Sequence, residues 1–149
     1  MKKLKSLFAI ISLFTLFLLA ACGNNAEETA TEKKENDKKT EDTSYTVEHA
    51  MGTTKLEKTP KRVVVLTNEG TEALLALGVK PVGAVQSWLG DPWYDHIKND
   101  MEGVEVVGVE HEVNLEKIAA LKPDLIIGNK LRQEAVYDKL SAIAPTVFS

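Results

Sequence analysis

Residues 62–85 read RVVVLTNEGTEALLALGVKPVGAV, and this stretch decides the fold. Arg62 to Thr67 is an unbroken apolar, largely β-branched run. Strands apolar on both faces belong in the middle of parallel sheets. Gly70 to Gly78 then reads as a short helix that Gly78 stops. Pro81 to Val85 follows as a second strand. A strand, a helix and a strand in so few residues predict a parallel pair with a right-handed crossover.

The same alternation continues downstream. Asp91 to Met101 predicts a helix, with Asp91 as N-cap and Pro92 at the first helical position. Val104 to Gly108 reads as a strand. Asn114 to Lys122 reads as a helix with an Asn cap, an early Glu and a late Lys, which suits the helix dipole. Asp124 to Gly128 is a strand. Gln133 to Ala144 is a helix with Val136, Leu140 and Ile143 on one face, and Pro145 to Phe148 starts a last strand. Upstream, Tyr45 to Lys58 alternates around Gly52 as a hairpin would. The fold class is therefore α/β, one lobe with a mainly parallel sheet flanked by helices.

The N-terminal third has a different composition. Met1-Lys2-Lys3-Leu4-Lys5 is a basic start, followed by 15 uncharged residues from Leu7 to Ala21. That run is short for a membrane span, which needs about 20 residues, and fits a secretory leader. Leu19-Ala20-Ala21-Cys22 looks like a bacterial lipobox, which makes Cys22, the chain's one cysteine, the expected lipidation site and membrane anchor. Gly23 to Ser44 contains no aromatic residue, Leu, Ile or Val. It cannot bury enough apolar surface to offset its ordering entropy and reads as a disordered tether, roughly 25 Å long on average. The expected organisation is a lipoprotein signal peptide over 1–21, a lipidated cysteine and tether over 22–44, and a folded lobe over 45–149. The expected location is the extracytoplasmic face of a cell membrane.

Charge and motifs exclude several classes. The net charge is −4, and losing the three leader lysines takes it to −7. An acidic protein is a poor ligand for nucleic acid, whose affinity comes from Lys and Arg on phosphates. No Gly-x-Ser-x-Gly or phosphate-binding glycine loop occurs, so no catalytic set is assigned. His49, His96 and His111 fall on separate elements without metal-ligand spacing. His49 and His96 read as surface or rim residues.

In parallel sheets ligands sit beyond the carboxyl ends of the strands. Four loops supply that end. Thr67 to Thr71 offers Thr67, Asn68 and Glu69. Gln86 to Pro92 offers Gln86, Ser87 and Trp88. Val109 to Asn114 offers Glu110 and His111. Asn129 to Gln133 offers Asn129, Lys130 and Arg132. Trp88 is a stacking surface or a plug over the core. Arg132, placed just before a helix, opposes the dipole there and gains from that position only by meeting an anion. Candidate ligand contacts are Arg132, Trp88, Lys130, Asn129, His111 and Asn68.

Residues 59–88, TPKRVVVLTNEGTEALLALGVKPVGAVQSW, and 114–147, NLEKIAALKPDLIIGNKLRQEAVYDKLSAIAPTV, resemble the ferric-siderophore substrate-binding lipoproteins of ABC importers in Gram-positive bacteria. The resemblance covers essentially all of 45–149. It implies capture of a ferric siderophore, of carboxylate or citrate-hydroxamate type, outside the membrane for delivery to a permease. It further implies that Arg132 contacts the anionic ligand, that the loop carrying Trp88 lines the pocket, and that Glu116 docks on the permease. Iron would be held by the siderophore's own oxygens, so no cofactor and no protein metal ligand is expected. Members have two lobes with ligand between them. The chain reads as the N-terminal lobe, expected to hold ligand weakly by itself. Two other classes stay open on the residues alone: a direct metal-ion binder of the same superfamily, and an extracytoplasmic enzyme on a parallel sheet.

Overall fold

The computed structural model describes residues 44–149. The expected signal peptide, Cys22 and nearly all of the tether lie outside the described residues. At the centre is a five-stranded sheet in the order β5-β4-β3-β8-β9, in which every pair is parallel. Its strands are β3 (Val63–Val65), β4 (Gly83–Ala84), β5 (Glu105–Val106), β8 (Leu125–Gly128) and β9 (Thr146–Phe148). The short assigned strands extend by further ladder bonds, such as Leu66 N–H to the Ile127 carbonyl at 2.8 Å.

The middle strand, β3, explains the apolar run that announced it. Successive side chains point to opposite faces, and both faces are covered. Val64 packs with Leu66, Ile118, Ile126, Leu140 and Phe148 on one side. Val65 packs with Ala84, Trp93, Ile97 and Met101 on the other. Two core layers therefore meet across one strand, and all three valines are buried. Complete burial of a Val side chain contributes about 1.5–3 kcal/mol.

Helix α1 (Asn68–Ala76) starts two residues earlier than its sequence signal. Thr67 Oγ1 accepts the Gly70 N–H at 3.0 Å as N-cap, and Gly78 ends the element with φ of +74°. Helix α2 (Leu115–Ala120) is capped by Asn114, which accepts the Lys117 N–H at 2.9 Å, as read. The hairpin of β1 (Tyr45–His49) and β2 (Gly52–Leu56) is also as read. It fastens to the edge strand β9: Ala50 N–H donates to Phe148 O at 2.9 Å and Thr54 Oγ1 to Thr146 O at 2.8 Å. His49 is half-buried in that seam rather than at the surface. Its Nδ1 accepts from the Met51 and Phe148 backbone N–H groups, and its Nε2 bonds Thr54 Oγ1 at 2.9 Å. His96 lies on the surface, paired with Glu72.

Three segments differ from expectation. Asp91 to Met101 is a chain of turns. The Asp91–Pro92 peptide is cis. The Pro92 carbonyl and the Tyr94 N–H are both taken by Ser87, so the groups a helix start would use are already satisfied by the preceding loop. The loop after β5 folds into a small antiparallel hairpin, β6 (Gly108–Val109) with β7 (Glu112–Val113). The predicted helix over 133–144 begins earlier and is broken into α3 (Lys130–Gln133), a single 3₁₀ turn (Glu134–Val136) and α4 (Tyr137–Ser141). The break sits at Gln133, whose backbone leaves helical geometry at φ −122°, ψ 10°. Its buried amide is held by the N-cap of its own helix and by carbonyls on two distant segments, and that overrides helix continuity.

Gly108 sets the β6–β7 hairpin. Its φ is +117°, and an added Cβ would run into the Glu112 carbonyl. Such a backbone conformation is open to glycine and strained for other residues. Gly108→Ala is expected to lower stability by about 1–3 kcal/mol, measured by urea unfolding, and to disturb the turn that carries Glu110.

Candidate functional site

All four strand-end loops converge on one carboxylate. Glu110 lies at the tip of the β6–β7 turn, and only 2 % of it is exposed. Its Oε1 accepts the Asn68 backbone N–H at 2.6 Å and the Asn68 side-chain amide at 2.9 Å. Its Oε2 accepts the Trp88 indole N–H at 3.1 Å and pairs with Arg132 Nε at 3.1 Å. The Asn68 N–H belongs to the first turn of α1, where the helix dipole favours a negative charge. The backbone of the same turn is pinned by Gln133, whose amide donates to Glu110 O at 2.7 Å and Leu66 O at 3.1 Å.

Burial alone would push the Glu110 carboxyl up. The Asn68 backbone and side-chain hydrogen bonds, the Arg132 charge and the Trp88 indole more than offset it and hold the group below the ordinary glutamate value. Arg132 has a second partner: its Nη1 donates to Glu69 at 2.8 Å. That hydrogen bond, against desolvation, and the charges of both glutamates push the guanidinium further up.

Arg132 lies inside α3 and not ahead of a helix, and the anions that it meets here belong to the chain itself. The structure brings Asn68, Trp88 and Arg132 together. The Trp88 ring is 67 % exposed while its N–H is tied down, so it is an open surface and not a plug over the core. Trp93 fills the core instead, at 9 % exposure. Leu89, next to Trp88 in its loop, and Leu131, in α3, are each 91 % exposed.

The other candidates stand apart from this cluster. Asn129 is an N-cap, accepting the Leu131 N–H at 2.9 Å, and its amide donates to Ser149 Oγ at 3.1 Å. Lys130 is exposed and pairs with Glu134 at 3.7 Å. His111 is exposed beside Glu110 on the turn. Glu116 is exposed in the first turn of α2. Sequence reasoning named Glu69 and Glu110 among the residues the loops offer but left them, like Gln133, out of the candidate contacts. The run VGVEHEV, with alternating apolar residues around a polar pair, does carry a hairpin signal. Nothing local marks Glu110 as buried. Among the described residues, no three His, Cys, Asp or Glu side chains form a group that could hold a metal ion.

The carboxyl edge of a doubly covered parallel sheet, with polar loops gathered there, is the place where open α/β folds bind their ligands. The chain belongs to the periplasmic binding protein family, whose pattern matches residues 63–149. It is 58 % identical over 150 residues to a Bacillus subtilis protein named a probable siderophore-binding lipoprotein, covering all of this chain and 44 % of that one. It is 39 % identical over 102 residues to the Fe(3+) dicitrate-binding periplasmic protein of Escherichia coli, covering 68 % of this chain and 34 % of that one. Among solved structures it is similar to Staphylococcus aureus SirA complexed with staphyloferrin B, at 52 % identity and a TM-score of 0.69, covering 70 % of this chain and 36 % of that one. The chain thus spans less than half the length of these relatives.

The linkage sign for Glu110 follows from its lowered value. Stability from the ionised group is present above the unfolded carboxyl value, about 4.3, and is lost as pH falls through the lower folded value. Glu110→Gln should destabilise by about 3 kcal/mol at pH 7. The gap from the parent chain should narrow as pH falls below the unfolded carboxyl value and on through the lower folded one, measured by urea unfolding across pH.

Proposed function

We propose that this chain is the first lobe of the substrate-binding component of an ABC importer, and that it captures a ferric siderophore of carboxylate or citrate-hydroxamate type; staphyloferrin B, bound by the similar SirA, is the ligand to test first. The observation that carries the reading is a guanidinium and an indole locked side by side on one buried carboxylate, at the loop end of a parallel sheet. A fixed guanidinium suits a carboxylate ligand, because its planar fork matches the two oxygens. The open indole face and the exposed Leu89 and Leu131 supply the apolar contact that such sites combine with a few polar groups. Iron is cargo in this reading, ligated by the siderophore. Lys130, Asn129, His111 and Asn68 are proposed to support the ligand around Arg132 and Trp88. Cys22 is proposed to carry the lipid that keeps the protein on the outer face of the membrane.

Fluorescence titration of the whole two-lobed protein with ferric staphyloferrin B tests this. Saturable quenching is expected, and Trp88→Phe should remove most of it because Trp93 is buried. Arg132→Ala, checked for folding by circular dichroism, should weaken binding about 10- to 150-fold. An unchanged dissociation constant would take Arg132 out of the site.

Glu116 is proposed to face the permease, on the strength of the family resemblance and its exposure at a helix start. Glu116→Ala in the whole protein should leave siderophore affinity unchanged and reduce uptake by cells. Normal uptake with normal expression would leave Glu116 with only its dipole-favoured place in the first turn of α2.

A further inference from the structure

The two carboxylates on Arg132 are held in opposite ways. Glu110 has a contact on every side: two donors from Asn68, one from Trp88, and the Arg132 Nε, with its side chain only 1 % exposed. Glu69 is 59 % exposed at the side chain, and the contact found for its carboxylate among the described residues is Arg132 Nη1. Exposed ion pairs are weak and readily exchanged, whereas removing a partner from a buried, fully bonded charge is costly. Glu69 stands in the first turn of α1. The trio carries two negative charges and one positive. An incoming anion would therefore meet net repulsion unless one carboxylate withdrew.

We infer that Glu69 is an internal stand-in for a ligand carboxylate: it occupies Arg132 Nη1 when the lobe is empty and is exchanged for the ligand, while Glu110 stays in place and aims Arg132 and Trp88. This rests on the proposed binding of a carboxylate-bearing ligand and adds the element that keeps the site charged and ordered without it. Glu69 makes the site selective as well. A ligand that brings no carboxylate or equivalent anion to Arg132 does not displace it. Glu110 is a positioning residue, acting through Arg132 and Trp88 and not on the ligand.

The test uses the full chain labelled with ¹⁵N, with sodium citrate as a simple carboxylate probe. The Arg132 Nε–H and Trp88 Nε1–H resonances are followed together. Citrate is expected to shift the Arg132 signal of the parent chain and leave the Trp88 signal in place. Glu69→Gln should bind citrate about two- to fivefold more tightly, because the competitor is neutral. Glu110→Gln should move both signals before any citrate is added and weaken the citrate response. An Arg132 signal indifferent to citrate, or a Glu69→Gln chain that binds citrate no better, overturns the exchange. Ferric staphyloferrin B, read by tryptophan quenching in the whole two-lobed protein, separates this from the functional reading. Citrate exchange without binding of the ferric complex would remove the proposed ligand and keep the exchange. Binding of the ferric complex with equal affinity by the parent and Glu69→Gln chains would keep the ligand and remove the exchange.

Discussion

A carboxylate that is buried must be neutralised or fully bonded, and Glu110 is kept ionised by bonds from three loops. Isolated burial of such a charge would be prohibitive. The requirement propagates outward. It fixes where the first turn of α1 begins, because the Asn68 N–H must point at Glu110. It fixes the rotamer of Trp88, whose N–H faces inward while the ring faces out. It orients Arg132, whose Nε is committed to Glu110 and whose Nη1 reaches Glu69. Gln133 ties the backbone of the same turn to β3, so the carboxylate cannot drift relative to the sheet.

The sheet makes this convergence possible. Parallel strands deliver all their outgoing loops to the same edge, and right-handed crossovers return the chain over one face or the other. Residues 42 and 22 positions apart in sequence thereby meet on one group. The core beneath is stiff: β3 is covered on both faces, and Val64 and Val65 are each fully buried. Loops mounted on such a base can hold a site to within small tolerances, as recognition of a planar anionic group requires.

The sequence made the parallel sheet legible because burial on both faces writes itself locally, as runs such as Val63 to Leu66 and Leu125 to Ile127. Caps were legible for the same reason, since Asn114 needs only its own next turn. The loop end was also legible, and with it Asn68, Trp88 and Arg132 as neighbours. Glu110 and Gln133 were not, because their burial depends on partners far along the chain. The broken helix after Asn129 follows from that gap: apolar spacing described a continuous helix, while a buried amide with distant partners decided the break. Asp91-Pro92 misled in a similar way. The pair has the look of a helix start, but Ser87 had already claimed the neighbouring backbone groups.

The seam between the β1–β2 hairpin and β9 bears on how the lobe is assembled. His49 meets Phe148 across 99 positions, and Thr54 meets Thr146 across 92. The earliest described strands thus wait for the latest one before they have anything to dock on. Contacts of such long sequence separation raise the contact order and slow folding toward the millisecond-to-second range. Until β9 arrives, the edge of β8 stays open to pairing with another chain. The window in which this sheet is most prone to misassociate is therefore set by the arrival of β9.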